Sequence, residues 1–196
     1  MATTPKVVPK RRLGREDWEQ AALDAIAREG LAGVAIEPIA RHLGVTKGSF
    51  YAHFSNRDEL IEAALESWRR SHGTAGLKPY TEMPDPTQRL TEMLRSATEF
   101  SQSGAPSVHI SLLGELHDRR VREAVASVTK SRLELLSTSY RQLGLSPQRA
   151  AHRARISYAT YLGLMQMARE TPDTRLAQRE IGRFMKELRS ALVEIG

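Results

Sequence analysis

The spacing of apolar residues constrains the fold of this chain more than any other feature. Apolar side chains recur every three or four residues along nearly all of the sequence, which is the period of one face of an α-helix. No stretch stands out by the alternation of apolar and polar residues that is typical of a β-strand. The sequence therefore predicts an all-α protein.

Glycine and proline residues divide the predicted helices into two groups. The first group is expected at about 16–29, 36–43, 47–53 and from Ser55 onward, where Ser55 and Asp58 have the spacing of a capping box. A loop rich in Gly and Pro follows between 73 and 86. The second group is expected at about 86–102, 107–117, 119–143, 147–170 and 175–195. We therefore expect a flexible basic arm (1–14), an N-terminal domain (15–70) and a C-terminal helical domain (71–196).

Composition excludes several classes of protein. No apolar run among the 196 residues reaches the roughly 18–20 residues of a membrane span, and no apolar stretch follows the basic N-terminus as in a secretory signal. The chain has no Cys, which excludes disulfides and thiolate catalysis and fits a reducing compartment. We expect a cytoplasmic protein with no membrane partner. The net charge of +6 does not by itself indicate nucleic-acid binding.

The segment GVTKGSFYAHF (44–54) has a composition that a purely structural helix does not explain. A glycine such as Gly48 costs about 0.5–1 kcal/mol in a helix interior relative to alanine. A short helix, a turn at Gly44 and a second short helix form a helix-turn-helix, whose second helix enters the DNA major groove. On this hypothesis Val45, Phe50 and Phe54 pack inward. The predicted DNA-binding residues are Thr46, Lys47, Gly48, Ser49, Tyr51, His53 and Arg57.

The longer segment IARHLGVTKGSFYAHFSNRDEL (39–60) resembles the DNA-binding signature of the TetR family of bacterial transcriptional regulators. The matching positions are Ile39-Ala40, Gly44-Val45-Thr46, Gly48, Tyr51, His53-Phe54, Arg57 and Leu60, and the resemblance covers about residues 13–66. It departs from the family at Val34-Ala35, where Ser or Thr often caps the first short helix. The resemblance implies a homodimer that binds a pseudo-palindromic operator, usually as a repressor, with a dimer interface and a ligand cavity in the C-terminal helices.

Several of the predicted DNA contacts have a structural alternative. Lys47, Tyr51 and His53 have the alternative of an ordinary exposed helix face, and Thr46 has that of a simple N-cap. Arg57 lies in the first turn of its helix, where backbone N–H groups also favour phosphate. In the basic arm, Arg11 or Arg12 has two interpretations, insertion into the minor groove or a solvated tail.

The last two predicted helices carry apolar stripes that suit a homodimer interface. One stripe comprises Ala151, Ala154, Tyr158, Tyr161, Leu162 and Met165, with Ala159 and Gly163 allowing close approach, and the other comprises Ile181, Phe184, Met185, Leu188, Leu192 and Ile195. The alternative is that both stripes complete the core of a single protomer. A pocket for an unknown small-molecule effector is predicted at His109, Leu112, Leu113, Leu116, Tyr161 and Met165, with ordinary core packing as its alternative.

An enzyme is not predicted. The sequence has no Gly-rich phosphate loop, no Gly-x-Ser-x-Gly and no His-Glu-x-x-His, and the six His residues are scattered. We expect no catalytic residues, no metal and no cofactor. The competing hypothesis is a helical protein–protein interaction module without specific DNA binding, which leaves the residue choice at 44–54 unexplained.

Overall fold

The computed structural model describes residues 13–170 and 178–194, and within these ranges it is helical with no β-strand. The predicted all-α class is therefore confirmed. The helices of the described residues are α1 (Arg15–Glu29), α2 (Ile36–Leu43), α3 (Lys47–Phe50), α4 (Arg57–His72), α5 (Lys78–Thr81), α6 (Pro86–Ser103), α7 (Val108–Leu113), α8 (Arg119–Gln142), α9 (Pro147–Glu170) and α10 (Gln178–Leu192), and a 3₁₀ turn spans Gly30–Gly33.

Three local predictions need correction. The loop between α4 and α6 contains the short helix α5, and α7 ends at Leu113 rather than near residue 117. The N-cap of α4 is Asn56 and not Ser55, since Asn56 Oδ1 accepts the backbone N–H of Glu59 at 2.9 Å. The hydroxyl of Ser55 instead donates to the Glu59 carboxylate at 2.7 Å, so Glu59, and not Asp58, closes the first turn.

The N-terminal core forms around three aromatic rings. Trp18 of α1, Phe50 of α3 and Phe54 are each at most 2% exposed. The Trp18 and Phe50 rings meet edge-on with centroids 5.4 Å apart, and Phe50 stacks on Phe54 at 5.6 Å. The predicted apolar faces of α1 and α4 complete this core with Ala22, Ala25, Ile26, Leu60, Ile61, Ala64, Leu65 and Trp68, all of them buried.

Two arginines tie the helix-turn-helix to its neighbours. Arg57 Nε donates to the carbonyl of Val34 at 2.7 Å, and its Nη2 donates to the carbonyl of Leu31 at 2.5 Å. Arg15 Nη1 donates to the carbonyl of His53 at 2.7 Å, and the guanidinium lies 4.1 Å from the centre of the Phe54 ring. These charge-assisted contacts fix α4 to the segment before α2, and α1 to the segment after α3.

The C-terminal half packs α6, α8, α9 and α10 around a second core. Leu90, Leu94, Leu136, Ala150 and Ala154 lie within it. Tyr140 is 1% exposed, and its hydroxyl bonds to Ser157 Oγ at 2.6 Å and donates to the Leu192 carbonyl at 2.8 Å. This buried hydroxyl thereby joins α8, α9 and the end of α10.

The two halves of the chain share packing. Leu112 of α7 and Val121, Ala124, Val125 and Val128 of α8 belong to the same buried cluster as the N-terminal aromatic residues. At the edge of this cluster, Glu115 Oε1 accepts the backbone N–H of Leu31 at 3.2 Å, and Arg120 pairs with Asp58 at 3.1 Å. The proposed boundary at 70–71 falls in the last turn of α4, so one continuous helix enters both halves. Within the described residues, no helix is both long and apolar enough to cross a membrane.

We predict that Arg57→Met lowers the free energy of unfolding by about 1.5–3 kcal/mol, because two partly buried carbonyls lose a charged donor. Arg28→Met is the matched control, since Arg28 is exposed at the end of α1. Urea unfolding followed by circular dichroism measures both variants. Equal stability of the two variants would show that the Arg57 contacts contribute nothing to the fold.

Candidate nucleic-acid interface

The turn between α2 and α3 positions the candidate interface. Gly44 ends α2 in the left-handed conformation, with φ 70° and ψ 31°, which a residue with a Cβ adopts at a cost. Thr46 then occupies the N-cap position of α3, but its side chain makes no capping hydrogen bond. Phe50 is fully buried and anchors the inner face of α3. The opposite face of α3 consequently faces solvent.

The outward residues form one continuous surface, which we call the α3 surface and define by Thr46, Lys47, Gly48, Ser49, Tyr51 and His53. Four of the six are exposed, and Ser49 and His53 are half-buried. Tyr51 is 57% exposed, although its ring meets Phe50 edge-on at 5.2 Å. The structure thus brings six of the seven predicted DNA-binding residues together. Arg57 differs from them because its guanidinium binds two carbonyls of its own domain.

Gly48 is not required by the packing of the protein. A Cβ added there would have Thr46 Oγ1, at 3.7 Å, as its one neighbour within 4 Å among the described residues, which is an ordinary contact distance. The backbone at Gly48 also has no positive φ. Alanine at this position would therefore fit without strain. The packing of the protein therefore gives no reason for a glycine at this position.

One acidic side chain adjoins the α3 surface. Glu37 of α2 accepts a hydrogen bond from Lys47 Nζ at 2.8 Å. This hydrogen bond, together with the Lys47 charge, lowers the pKa of Glu37 and raises the pKa of Lys47. Both side chains are more than half exposed, so the pair is screened by water and easily exchanged for another partner. Lys47 is therefore available to an external anion.

The predicted contacts of the basic arm lie outside the described residues, since the structure begins at residue 13. Arg11 and Arg12 both precede residue 13, so their contacts stay a prediction. Arg15, the next arginine, is described, and it is engaged with Phe54, the His53 carbonyl and Glu59 inside the domain. Sequence reasoning did not identify the structural use of Arg15 and Arg57, because neither contact follows from spacing along one helix.

A second candidate site is a cavity of about 560 Å³, which lies between α1 and α4 on one side and the helices of the C-terminal half on the other. Of the six residues predicted for an effector pocket, His109 and Tyr161 line it. Leu112 is fully buried in the N-terminal cluster, Leu113 packs beside that cluster, and Leu116 is 39% exposed. Met165 lines a separate cavity of about 290 Å³ instead. The helix α7 is too short to align these leucines on one face, since it ends at Leu113.

Further residues of the cavity wall were not predicted from the sequence, and they come from elements far apart in the chain. They include Trp68 and His72 of α4, Arg132 and Tyr140 of α8, and Tyr158 of α9. The Tyr158 hydroxyl lies 3.2 Å from His109 Nε2 and 3.0 Å from Thr129 Oγ1. A mixture of aromatic rings with few polar groups is typical of small-molecule sites.

The histidines of this wall are held neutral. Burial is the main cause that lowers the pKa of His109 to about 3, and the positive charges of Arg132 and, when protonated, His72 add to it. Burial also lowers the pKa of His72, again with a contribution from Arg132. At neutral pH the positive charge of this part of the wall is therefore that of Arg132, whose guanidinium lies 4.8 Å from the centre of the Tyr161 ring.

The predicted dimer stripe of α9 needs correction. Ala154, Tyr158 and Met165 are buried in the core of this protomer, so they are not free to meet a second one. The opposite face of α9 is exposed instead, and it carries Ile156, Ala159, Gly163 and Met167. The stripe of α10 is half-buried at Ile181, Phe184, Met185 and Leu188, and Leu192 is buried. Ile195 lies outside the described residues.

Comparison with known proteins gives a consistent result. The sequence model of bacterial regulatory proteins of the tetR family matches residues 20–64. The HTH-type transcriptional regulator TtgR of Pseudomonas putida is 26% identical over 177 residues, which are 79% of this chain and 80% of that protein.

Solved structures show the same fold. The chain superposes on a TetR-family transcriptional regulator from Agrobacterium tumefaciens with a TM-score of 0.71 and 20% identity, over 92% of this chain and 97% of the other. It also superposes on AibR in complex with isovaleryl coenzyme A and operator DNA, with a TM-score of 0.66 and 20% identity, over 91% and 97% of the two chains. With the geometry of α2, α3 and α4, these matches support a DNA-binding transcriptional regulator of the tetR family.

Proposed function

We propose that this regulator is a repressor that binds a pseudo-palindromic operator as a homodimer and is released by a small-molecule effector. The observation that carries the proposal is the α3 surface, where an exposed glycine that the fold does not need adjoins a lysine and a tyrosine. The structural neighbour AibR is in complex with both isovaleryl coenzyme A and operator DNA. That pair of ligands belongs to AibR, and it supports the same division of roles in this chain.

DNA contact through the α3 surface follows from its shape and charge. Gly48 lets the backbone of α3 approach the floor of the major groove, and Lys47 and Tyr51 flank it with a cation and a hydroxyl. Lys47 exchanges Glu37 for a phosphate on binding, and the carboxylate of Glu37 remains as a local repulsion. Thr46, Ser49 and His53 add donors and acceptors at the rim.

Dimerisation is proposed through the exposed face of α9 together with α10. Ile156 and Met167 are each more than half exposed, and the small residues Ala159 and Gly163 lie between them at helical spacing. A stripe of this kind allows two helices to approach closely. Arg153 holds α10 beside α9 by donating to the carbonyl of Ala191. Two copies of this pair form a four-helix interface.

Effector release requires a connection between the cavity and the α3 surface, and α4 supplies it. Its first turn holds the helix-turn-helix through Arg57, and its last turn lines the cavity with Ser71 and His72. A ligand that displaces the last turn of α4 therefore reorients the α3 surface of each protomer. Moving the population from 99:1 to 1:99 requires about 5.5 kcal/mol of difference in binding free energy between the two states.

The alternative function is a helical interaction module without specific DNA binding. Fluorescence anisotropy with duplexes selected from a random pool separates the two functions. Operator binding predicts nanomolar affinity for selected duplexes and a steep loss of affinity with salt. The same weak affinity for selected and random duplexes would favour the interaction module.

We predict that Lys47→Ala and Tyr51→Ala each weaken binding to the selected duplex by about tenfold, as expected for the loss of roughly 1–2 kcal/mol of polar contact. Lys47→Ala should also reduce the slope of log affinity against log salt concentration by about one, because one phosphate contact is lost. Lys130→Ala is the control, because Lys130 is an exposed lysine of α8. Full affinity in both α3 variants, with intact helicity, would contradict the assignment of the α3 surface.

Gly48→Ala separates folding from binding. We predict that it leaves the melting temperature unchanged or raises it slightly, since the added Cβ has room. The affinity for DNA should fall at least fivefold, because the methyl group occupies the space of the closest approach. Gly114→Ala, at the end of α7, is the control with similar room for a Cβ. If Gly48→Ala binds DNA as tightly as the wild type, the glycine serves no DNA contact.

For the dimer, Ala159→Glu is predicted to convert the protein to a monomer at micromolar concentration, because it places a charge in the middle of the proposed interface. Ala126→Glu makes the same change at an exposed position of α8 and should leave the dimer intact. Sedimentation velocity measures both variants. A wild type that sediments as a monomer, or a dimer that Ala159→Glu does not alter, would exclude this interface.

A further inference from the structure

The cavity wall contains a guanidinium that forms no ion pair with any residue the structure describes. Arg132 is half-buried in the wall, and its guanidinium lies over the Tyr161 ring. Within the part of the chain that the structure describes, no carboxylate forms an ion pair with Arg132. The neighbours one turn away on α8 are Val128, Thr129, Leu135 and Leu136, which carry no charge. A partly desolvated cation of this kind favours an anionic ligand.

The other ionisable groups of the wall do not neutralise Arg132. His72 and His109 are uncharged at neutral pH, because their pKa values are lowered. Asp24 of α1 is the one carboxylate among the described lining residues, and its Oδ1 accepts a hydrogen bond from Gln20 at 2.9 Å. The His109 ring lies 6.0 Å from the Tyr161 ring that the Arg132 guanidinium covers, and the Trp68 ring lies within 5.6 Å of both histidine rings. Arg132 and the two histidines therefore share one end of the cavity.

Two buried ring nitrogens adjoin the same end. Trp68 Nε1 and His109 Nδ1 are shielded from solvent and have no hydrogen-bond partner among the described residues. Their rings meet edge-on with centroids 5.5 Å apart, and both residues line the cavity. Buried polar groups in proteins are normally satisfied. A small movement of either ring would expose its nitrogen to an acceptor oxygen of a bound molecule, with His109 Nδ1 donating when it carries the proton.

The remainder of the wall is apolar and aromatic. It includes Leu77, Tyr80, Leu90, Met93, Leu94 and Phe100. A volume of about 560 Å³ lies within the range of small-molecule sites. The wall thus offers a large apolar surface beside the positive charge of Arg132.

We propose that this cavity binds a monoanionic amphipathic molecule, with an aromatic or aliphatic body and one carboxylate, and that Arg132 binds the carboxylate. The inference rests on the proposed effector site and specifies its ligand class. The planar guanidinium donates two parallel hydrogen bonds to a carboxylate. One cation matches one negative charge, so a dianion would leave a charge unpaired in an apolar wall. A cationic amphipathic molecule would be repelled by the positive charge of Arg132.

Isothermal titration calorimetry of the full chain with two matched sets of probes tests this specificity. One set is naphthalene-2-carboxylate, naphthalene-2-carboxamide and 2-naphthylmethylamine, and the other is octanoate, octanamide and octylamine. The carboxylate of at least one set should bind roughly tenfold or more tightly than its amide, and its amine should bind more weakly still. Equal affinities within both sets, tighter binding of an amine, or no binding of any probe at millimolar concentration would overturn the proposal.

Arg132→Met removes the charge and keeps an apolar chain over Tyr161. We expect it to lose roughly 10- to 100-fold in carboxylate affinity and to leave amide affinity unchanged. Arg132→Lys keeps the positive charge but not the planar pair of donors, so it should lose less carboxylate affinity than Arg132→Met. Arg141→Met, at an exposed arginine near the end of α8, is the matched control. A carboxylate that binds Arg132→Met as tightly as the wild type would contradict the role of Arg132, and circular dichroism verifies that each variant is folded.

Operator binding by the same preparations keeps the two proposals distinct. A carboxylate that binds through Arg132 but does not release DNA supports the ligand class and contradicts effector release. A protein that binds its operator and ignores every probe contradicts the ligand class, while operator binding stands. Release of DNA by the carboxylate from the wild type, and not from Arg132→Met, supports both.

Discussion

The packing of Trp68 against His109 joins the two candidate sites of this protein. Trp68 is fully buried in α4, and His109 of α7 is 3% exposed. Trp68 belongs to the same buried cluster as Phe50 and Phe54 beneath the α3 surface, and it also lines the cavity. Because interiors are densely packed, a shift of this side chain is transmitted to its neighbours. On the proposed mechanism, the position of the helix-turn-helix therefore depends on the occupancy of the cavity at the far end of α4.

The helix α4 carries this dependence over a length of about 24 Å. At the start of α4, Arg57 binds the carbonyl of Val34 in the segment before α2. At the end of α4, His72 lines the cavity. Glu115 and Arg120 add a second connection, through Leu31 and Asp58, from the region of α7 and α8. On the proposed mechanism no hinge between domains is needed, since rotation of α4 in each protomer of the proposed homodimer changes the relative orientation of the two α3 surfaces.

Local pattern in the sequence was enough to predict one part of the structure. The buried faces of α1 and α4, the inward direction of Phe50 and Phe54, and the outward α3 surface all follow from helical periodicity and a motif of fixed spacing. The cavity did not follow, because residues such as Trp68, Arg132 and Tyr158 meet only through tertiary packing. The dimer stripe of α9 failed for the same reason. Both faces of α9 carry apolar residues, and periodicity does not say which face the rest of the protomer covers.

Operator recognition by a homodimer requires that two α3 surfaces read two related half-sites of one duplex. Selection of bound sequences from a random duplex pool, followed by footprinting of the enriched sequence, measures this directly. We expect a pseudo-palindrome with two half-sites whose centres are separated by about one helical turn of DNA or a multiple of it. Enrichment of a single asymmetric site, or no enrichment over the starting pool, would contradict recognition by two α3 surfaces.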